Sequence, residues 1–141
     1  MNFEDSLKVC AKVFNPGYLE IGGRCYYMND DGSINFDDNE NEPHDTIDEN
    51  GDSLQPVGIR YIDFGKCILL PNSRANFITL LDGQRYVYSY EVIAPLNMKR
   101  YRLLPKEGDK VWIAKKDGTI DREMEVKGFV TLKSRYLKLW L

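Results

Sequence analysis

"GDKVWIAKKDGTIDREMEV", Gly108–Val126, decides the fold class: two runs of strand-forming residues flank Asp117-Gly118, the dipeptide most suited to a tight hairpin turn. The same form recurs upstream in "FITLLDGQRYVYSYEVIAP", Phe77–Pro95, around Asp82-Gly83. Its second arm sets Tyr86, Tyr88 and Tyr90 on one face and Val87 on the other, as a period of two requires. Downstream, "FVTLKSRYLKLWL", Phe129–Leu141, supplies one or two closing strands, with Tyr136 and Lys138 on one side and Leu137, Leu139 and Leu141 on the other.

Further upstream, "PVGIRYIDFGKCILLP", Pro56–Pro71, carries Val57, Ile59 and Tyr61, then Ile68 and Leu70, about a break at Asp63 to Lys66. "YLEIGGRCYYM", Tyr18–Met28, reads as two strand pieces around Gly22 and Gly23, and "YYMNDDGSINF", Tyr26–Phe36, as a hairpin turning at Asp30 to Gly32. Only the beginning differs. In "NFEDSLKVCAKVF", Asn2–Phe14, the residues Phe3, Leu7, Cys10, Ala11 and Phe14 recur at helical spacing, with Asn2 as N-cap and Asn15-Pro16-Gly17 as a stop. The expected architecture is mainly β: one small antiparallel barrel or sandwich, SH3-like or OB-like, with one N-terminal α-helix over 3–14. A long acidic loop over 29–55 interrupts a scaffold formed by 18–28 and 57–141.

The chain has 141 residues, enough to bury roughly two-thirds of its unfolded surface around one core. Its start carries acids and no apolar run, unlike a signal peptide, and no stretch approaches the ~20 apolar residues of a membrane span, so a cytosolic protein without membrane contact is expected. Cys10, Cys25 and Cys67 are odd in number and widely spaced, which argues for reduced thiols rather than a disulfide framework, zinc site or redox centre.

The net charge of −3 hides a strong asymmetry. Ten carboxylates, the only histidine and no Lys or Arg fall between Asn29 and Asp52, so the remainder of the chain carries +7. From Leu96 onward there are 12 basic residues against 6 acids. Such a layout suits charged partners or packing in an assembly.

Catalytic parts are missing. His44 lies beside Pro43 with no Ser or Cys in a nucleophile context, and no phosphate-binding or zinc-protease motif occurs. The carboxylates of the acidic segment are too well solvated for a raised catalytic pKa. Neither an enzyme nor a cofactor is expected. For calcium, a loop begun at Asp37 puts Asn39 and Asn41 in ligand positions, yet Glu42 occupies the place that requires Gly, and Asp48 replaces the closing bidentate Glu. Asp37, Asn39, Asn41 and Asp48 are therefore at best weak calcium ligands.

A further reading treats the acidic segment as a nucleic-acid mimic presented to a basic groove, as in an inhibitor. Conversely, "NMKRYRLLPK" and "LKSRYLKLW" interleave Lys99, Arg100, Arg102, Lys106, Lys133, Arg135 and Lys138 with Tyr101, Tyr136 and Trp140, a pattern that suits nucleic acid. Plain strand alternation explains it too, and a pI near 5.2 opposes unaided nucleic-acid binding.

Taken together, "LLDGQRYVYSYEVIAP", "LPKEGDKVWIAKKDGTIDREMEV" and "RYLKLWL" resemble the small β-barrel head-completion or stopper proteins of the tailed-bacteriophage head-to-tail connector. The resemblance covers residues 75–141 and rests on strand-turn rhythm; the acidic insertion and the N-terminal segment lie outside it. It implies a non-enzymatic virion component, found in the cytoplasm of a bacterial host and then in the virion. Its partners would be copies of itself in a ring or neighbouring virion proteins, with DNA close by. The contact residues expected on this reading are Asp37, Asp38, Glu40, Glu42, Asp45, Asp48 and Glu49 on the acidic side, and Lys99, Arg100, Arg102, Lys133 and Arg135 on the basic side.

Overall fold

A computed structural model describes residues 2–14, 17–36 and 55–141. Strands make up 56% of these residues and helix 3%, in an antiparallel sheet curled into a half-barrel. Twelve strands are described: β1 Asp5–Phe14, β2 Tyr18–Ile21, β3 Arg24–Met28, β4 Ile34–Asn35, β5 Gly58–Pro71, β6 Phe77–Thr79, β7 Arg85–Val87, β8 Tyr90–Pro95, β9 Lys110–Ala114, β10 Asp121–Glu125, β11 Gly128–Leu132 and β12 Tyr136–Trp140. The main sheet runs β11-β12-β8-β5-β1-β2-β3-β4, with β9 on β1 and β10 on β9; β6 and β7 form a separate hairpin.

The expected N-terminal helix is a strand, and it is the hub of the sheet. β1 pairs with β5 along one edge from Asp5 to Val13. Its other edge is shared by β9 over Ser6–Val9 and β2 over Lys12–Phe14. The same residues satisfy two periods: Leu7, Val9 and Ala11 alternate into the core, while Lys8 and Lys12 are exposed. Pairing on both edges over most of its length satisfies most backbone groups of β1 and decides between the two periods, and weak helix propensity yields to it.

β5 is one long strand where the sequence suggested a break at Asp63 to Lys66. Leu7 faces Gly65 and Lys8 faces Asp63, so Phe64 is the extra residue of a β-bulge. Gly65 has φ +137°, and a Cβ there would stand 2.5 Å from the Arg100 guanidinium. The bulge turns the strand, so its first part pairs with β1 and Ile68–Pro71 pairs with β8. Phe64, Cys67 and Leu69 point inward, whereas Ile59 and Leu70 remain 55% and 42% exposed. The apolar phase read from Val57, Ile59 and Leu70 is thus the outer one.

The D-G hairpins form as expected, and their aspartates explain why. Asp117 Oδ1 accepts hydrogen bonds from the Thr119 hydroxyl and N–H, and Asp82 Oδ1 accepts one from the Gln84 N–H. Asp31 does the same for Ser33 in the β3–β4 turn. These bonds to the charged form, the hydroxyl bond foremost, hold the Asp31 and Asp117 carboxyls below the usual range. The tyrosine ladder does not persist: Tyr86 lies in β7, Tyr90 in β8 of the main sheet, and Tyr88 between them is buried. Asn72 ties that break down, its Nδ2 donating to the carbonyls of Asn76 and Tyr88.

The main core cluster draws on β1, β2, β3, β5, β8, β9 and β12, including Leu7, Leu19, Tyr26, Leu69, Val92, Ile113 and Leu137, and Phe14, Tyr18 and Cys25 form a smaller second one. The crossover from β8 to β9 contributes Leu96, Leu103 and Leu104 around a short 3-10 turn, Arg100–Leu103. Arg24 Nη2 donates to the carbonyls of Leu104 and Arg102, and the Tyr26 hydroxyl donates to that of Arg102, fastening the crossover to β3.

Candidate interaction surface

Two segments far apart in sequence meet at one end of the sheet. β8 and β12 pair with Pro95 opposite Tyr136. Just beyond, the Leu96 N–H donates to the Arg135 carbonyl at 2.7 Å. The basic run after β8 and the turn between β11 and β12 are thereby side by side, and Lys99, Lys133 and Arg135 are all exposed there. Met98, 88% exposed, and the half-exposed Leu132 and Tyr136 add apolar surface to the same end. Lys133 and Ser134 both have positive φ, 51° and 56°, and the Arg135 N–H closes the turn on the Leu132 carbonyl at 3.0 Å. Such a primed turn normally takes Asn or Gly, because a Cβ makes this backbone costly.

Not every expected basic contact residue is available. Arg100 donates from Nη1 to the Pro95 carbonyl at 2.7 Å, and its guanidinium lies 5.7 Å from the Phe64 ring centre. Arg102 lies 5.5 Å over Phe36. Both are committed to the fold. Lys138 pairs with Glu91 at 3.2 Å on the outer face. Three of the five expected basic residues are thus exposed, while Arg100 and Arg102 are half-buried against Phe64 and Phe36.

The surface includes a feature that the sequence reading passed over. β11 ends the sheet, and no described strand pairs with its other edge. An edge strand presents a row of N–H and C=O groups to any strand that arrives. Its side chains are apolar on both faces, with Phe129, Val130 and Leu132 each close to 40% exposed. The signal was present in "KGFVTLK": four strand-forming residues carry no charge, and Lys appears only at the two ends. Where β11 begins, hairpin β6–β7 leans against it, and Lys127 Nζ lies 5.0 Å over the Tyr86 ring. Between them is an open cavity of about 340 Å³ walled mainly by Ile78, Leu81, Phe129 and Trp140.

A second cluster resembles a reactive site more closely. β9 and β2 leave a gap along β1, and a cavity of about 300 Å³ there is lined by Cys10, Lys12, Asp109, Lys110 and Glu123. Burial, then the carboxylates of Glu123 and Asp109, push the Cys10 thiol up, so it stays protonated and a poor nucleophile at neutral pH. Glu123 accepts a hydrogen bond from the Tyr61 hydroxyl, and Asp121 Oδ1 accepts one from Trp112 Nε1. Tyr61 and Trp112 meet edge to face at 5.5 Å. This arrangement braces the outer sheet face.

Asp37, Asp38, Glu40, Glu42, Asp45, Asp48 and Glu49, the calcium candidates Asn39 and Asn41, and His44 lie outside the described residues. Among the described residues, no group of three or more His, Cys, Asp or Glu side chains gathers as metal ligands. No described helix is long and apolar enough to cross a membrane. The fold and surface define a class: a mainly β protein with a curled antiparallel sheet, an apolar edge that is open among the described residues, and a basic end. No family model, curated protein or solved structure matches the chain.

Proposed function

We propose that this chain is a non-enzymatic building block of a multi-subunit assembly, a small barrel of the SH3-like or OB-like kind working in a setting such as the phage head-to-tail connector. The observation that carries the reading is that Lys133 and Arg135 stand at the end of β11, joined through the Leu96–Arg135 backbone bond to the segment that bears Lys99, beside an apolar edge that is open among the described residues. Exposed apolar residues ringed by charge are the usual composition of a protein contact. The basic rim selects acidic neighbours and rejects basic ones, and it speeds encounter as well as fixing the final pose. The strand-turn rhythm shared with connector proteins supports the phage setting. Cross-linking mass spectrometry on the chain mixed with the products of its flanking genes tests the reading. Links from Lys99 and Lys133 to a neighbouring subunit are expected, whereas a chain that stays alone in every mixture overturns it.

A further inference from the structure

We infer that β11 is a docking edge for an extended segment of a partner protein, one with a large apolar side chain near one end and carboxylates near the other. This inference gives the chemistry of the contact proposed above and rests on that reading for the partner's existence.

Three observations meet along one strand. First, the edge is open among the described residues, and Phe129, Val130 and Leu132 flank it on both faces, so an added strand gains ladder hydrogen bonds and apolar cover together. Second, the cavity of about 340 Å³ lies at the Gly128 end, between Phe129, Trp140 and the leaning hairpin. Leu81 on its rim is 89% exposed. In strand addition the backbone bonds give affinity and such side pockets give selectivity. Third, Lys133 and Arg135 stand at the other end, held by a turn whose two central residues, Lys133 and Ser134, have positive φ.

Charge also argues against the simplest alternative, a second copy of β11. An antiparallel two-fold pair centred on Val130 sets each Lys133 opposite the other copy's Lys127, whose neighbour Glu125 is already shared between Lys127 and Lys110 at 3.5 and 3.6 Å, so the basic turn finds no free carboxylate there. A nucleic acid meets the basic end but gains nothing from an apolar edge or from unpaired ladder groups. The occupant that uses all three features is an acid-tailed strand.

The test uses the full ¹⁵N-labelled chain and a synthetic capped peptide of alternating Val and Thr, with Phe near one end and two Asp at the other. Amide shifts should concentrate on Gly128–Leu132 and the amides of β11 should become protected from exchange. Replacing the two Asp by Lys, or making Lys133→Glu with Arg135→Glu, should weaken binding about tenfold or more. Because both variant residues are exposed, the fold should persist, which the unchanged remainder of the spectrum would show. Leu81→Asp is a second exposed variant and should weaken the Phe-bearing peptide while sparing one with Ala in that place. Equal binding of the acidic and basic peptides, or shifts remote from β11, would overturn the inference. So would concentration-dependent shifts of β11 without peptide, which mark a second copy, or a preference for oligothymidylate at Lys99 and Lys133 that leaves β11 unmoved. Peptide failure with intact assembly defeats this inference alone, whereas peptide binding by a chain that never assembles defeats only the assembly reading.

Discussion

Leu96 donates its N–H to the Arg135 carbonyl at 2.7 Å, and this one bond joins the crossover after β8 to the turn before β12. It brings the segment that carries Lys99 beside the turn that carries Lys133 and Arg135, across the whole β9–β11 excursion. The basic residues at this surface divide into two kinds. Arg100 is folded back on Phe64, Gly65 and the Pro95 carbonyl, while Lys133 touches no described partner of opposite charge.

Arg100→Ala should therefore destabilise the fold by roughly 1–3 kcal/mol, from a lost charge-assisted hydrogen bond and lost cover over Phe64. Lys133→Ala should change stability by no more than about 0.5 kcal/mol, as surface substitutions do. Urea denaturation of the two variants separates them. Equal effects would mean that Arg100 is not a clamp.

Gly22 and Gly23 offer a test of the crossover's attachment. By dihedral alone, Gly23 at φ +84° should resist Ala more than Gly22 at φ +57°. Contacts reverse the order: a Cβ on Gly22 would stand 2.1 Å from the Leu104 carbonyl oxygen, while one on Gly23 meets only the Lys106 side chain at 3.7 Å. Gly22→Ala is expected to cost at least about 2 kcal/mol and Gly23→Ala nearer 1 kcal/mol. Thermal melts of both variants give the order directly.

Ser134→Gly should raise stability by roughly 0.5–1 kcal/mol, because Gly accepts the positive φ that Ser holds at a cost. A melting temperature that falls would show that the Ser134 side chain contributes something the backbone argument omits.

Cys67 sets an alkaline limit. Burial, with a smaller contribution from Asp5, pushes its thiol up to about 12 from 9.0. Its folded pKa is raised, so the stability it contributes is complete below pH 9, where both states are protonated. It is lost as pH rises toward 12, because the unfolded thiol ionises first. At about 1.4 kcal/mol per unit the loss is on the order of 4 kcal/mol. Cys67→Ala should flatten this decline in urea midpoints between pH 9 and the limit of measurement, after a cost of roughly 1–2 kcal/mol at neutral pH for the space it leaves.

Much of the fold was legible. The D-G turns mark three hairpins because an aspartate there bonds the backbone two residues on, and this is a local effect that a sequence carries in full. The alternation of Leu137, Leu139 and Leu141 likewise placed β12 with the correct face inward. β1 was misread because Leu7, Cys10, Ala11 and Phe14 fit a helical face as well as Leu7, Val9 and Ala11 fit a strand; only the presence of β5, β9 and β2 on its edges chooses. The bulge at Phe64 was invisible for the same reason, being a property of the register with β1. At the candidate surface, charge pattern pointed to Lys99, Arg100, Arg102, Lys133 and Arg135 alike and had no means of knowing that Arg100 and Arg102 would be drawn onto Phe64 and Phe36. The edge of β11, open among the described residues, depends on which strand ends the sheet, and this is decided by topology.

The most direct measurement is sedimentation velocity of the full chain, alone and with the products of its flanking genes, beside the variant carrying Lys133→Glu and Arg135→Glu. A species heavier than the 16.4 kDa chain is expected, one that dissociates in high salt and fails to form with the variant. A 16.4 kDa monomer in every mixture, or a complex indifferent to both charge reversals, would contradict it.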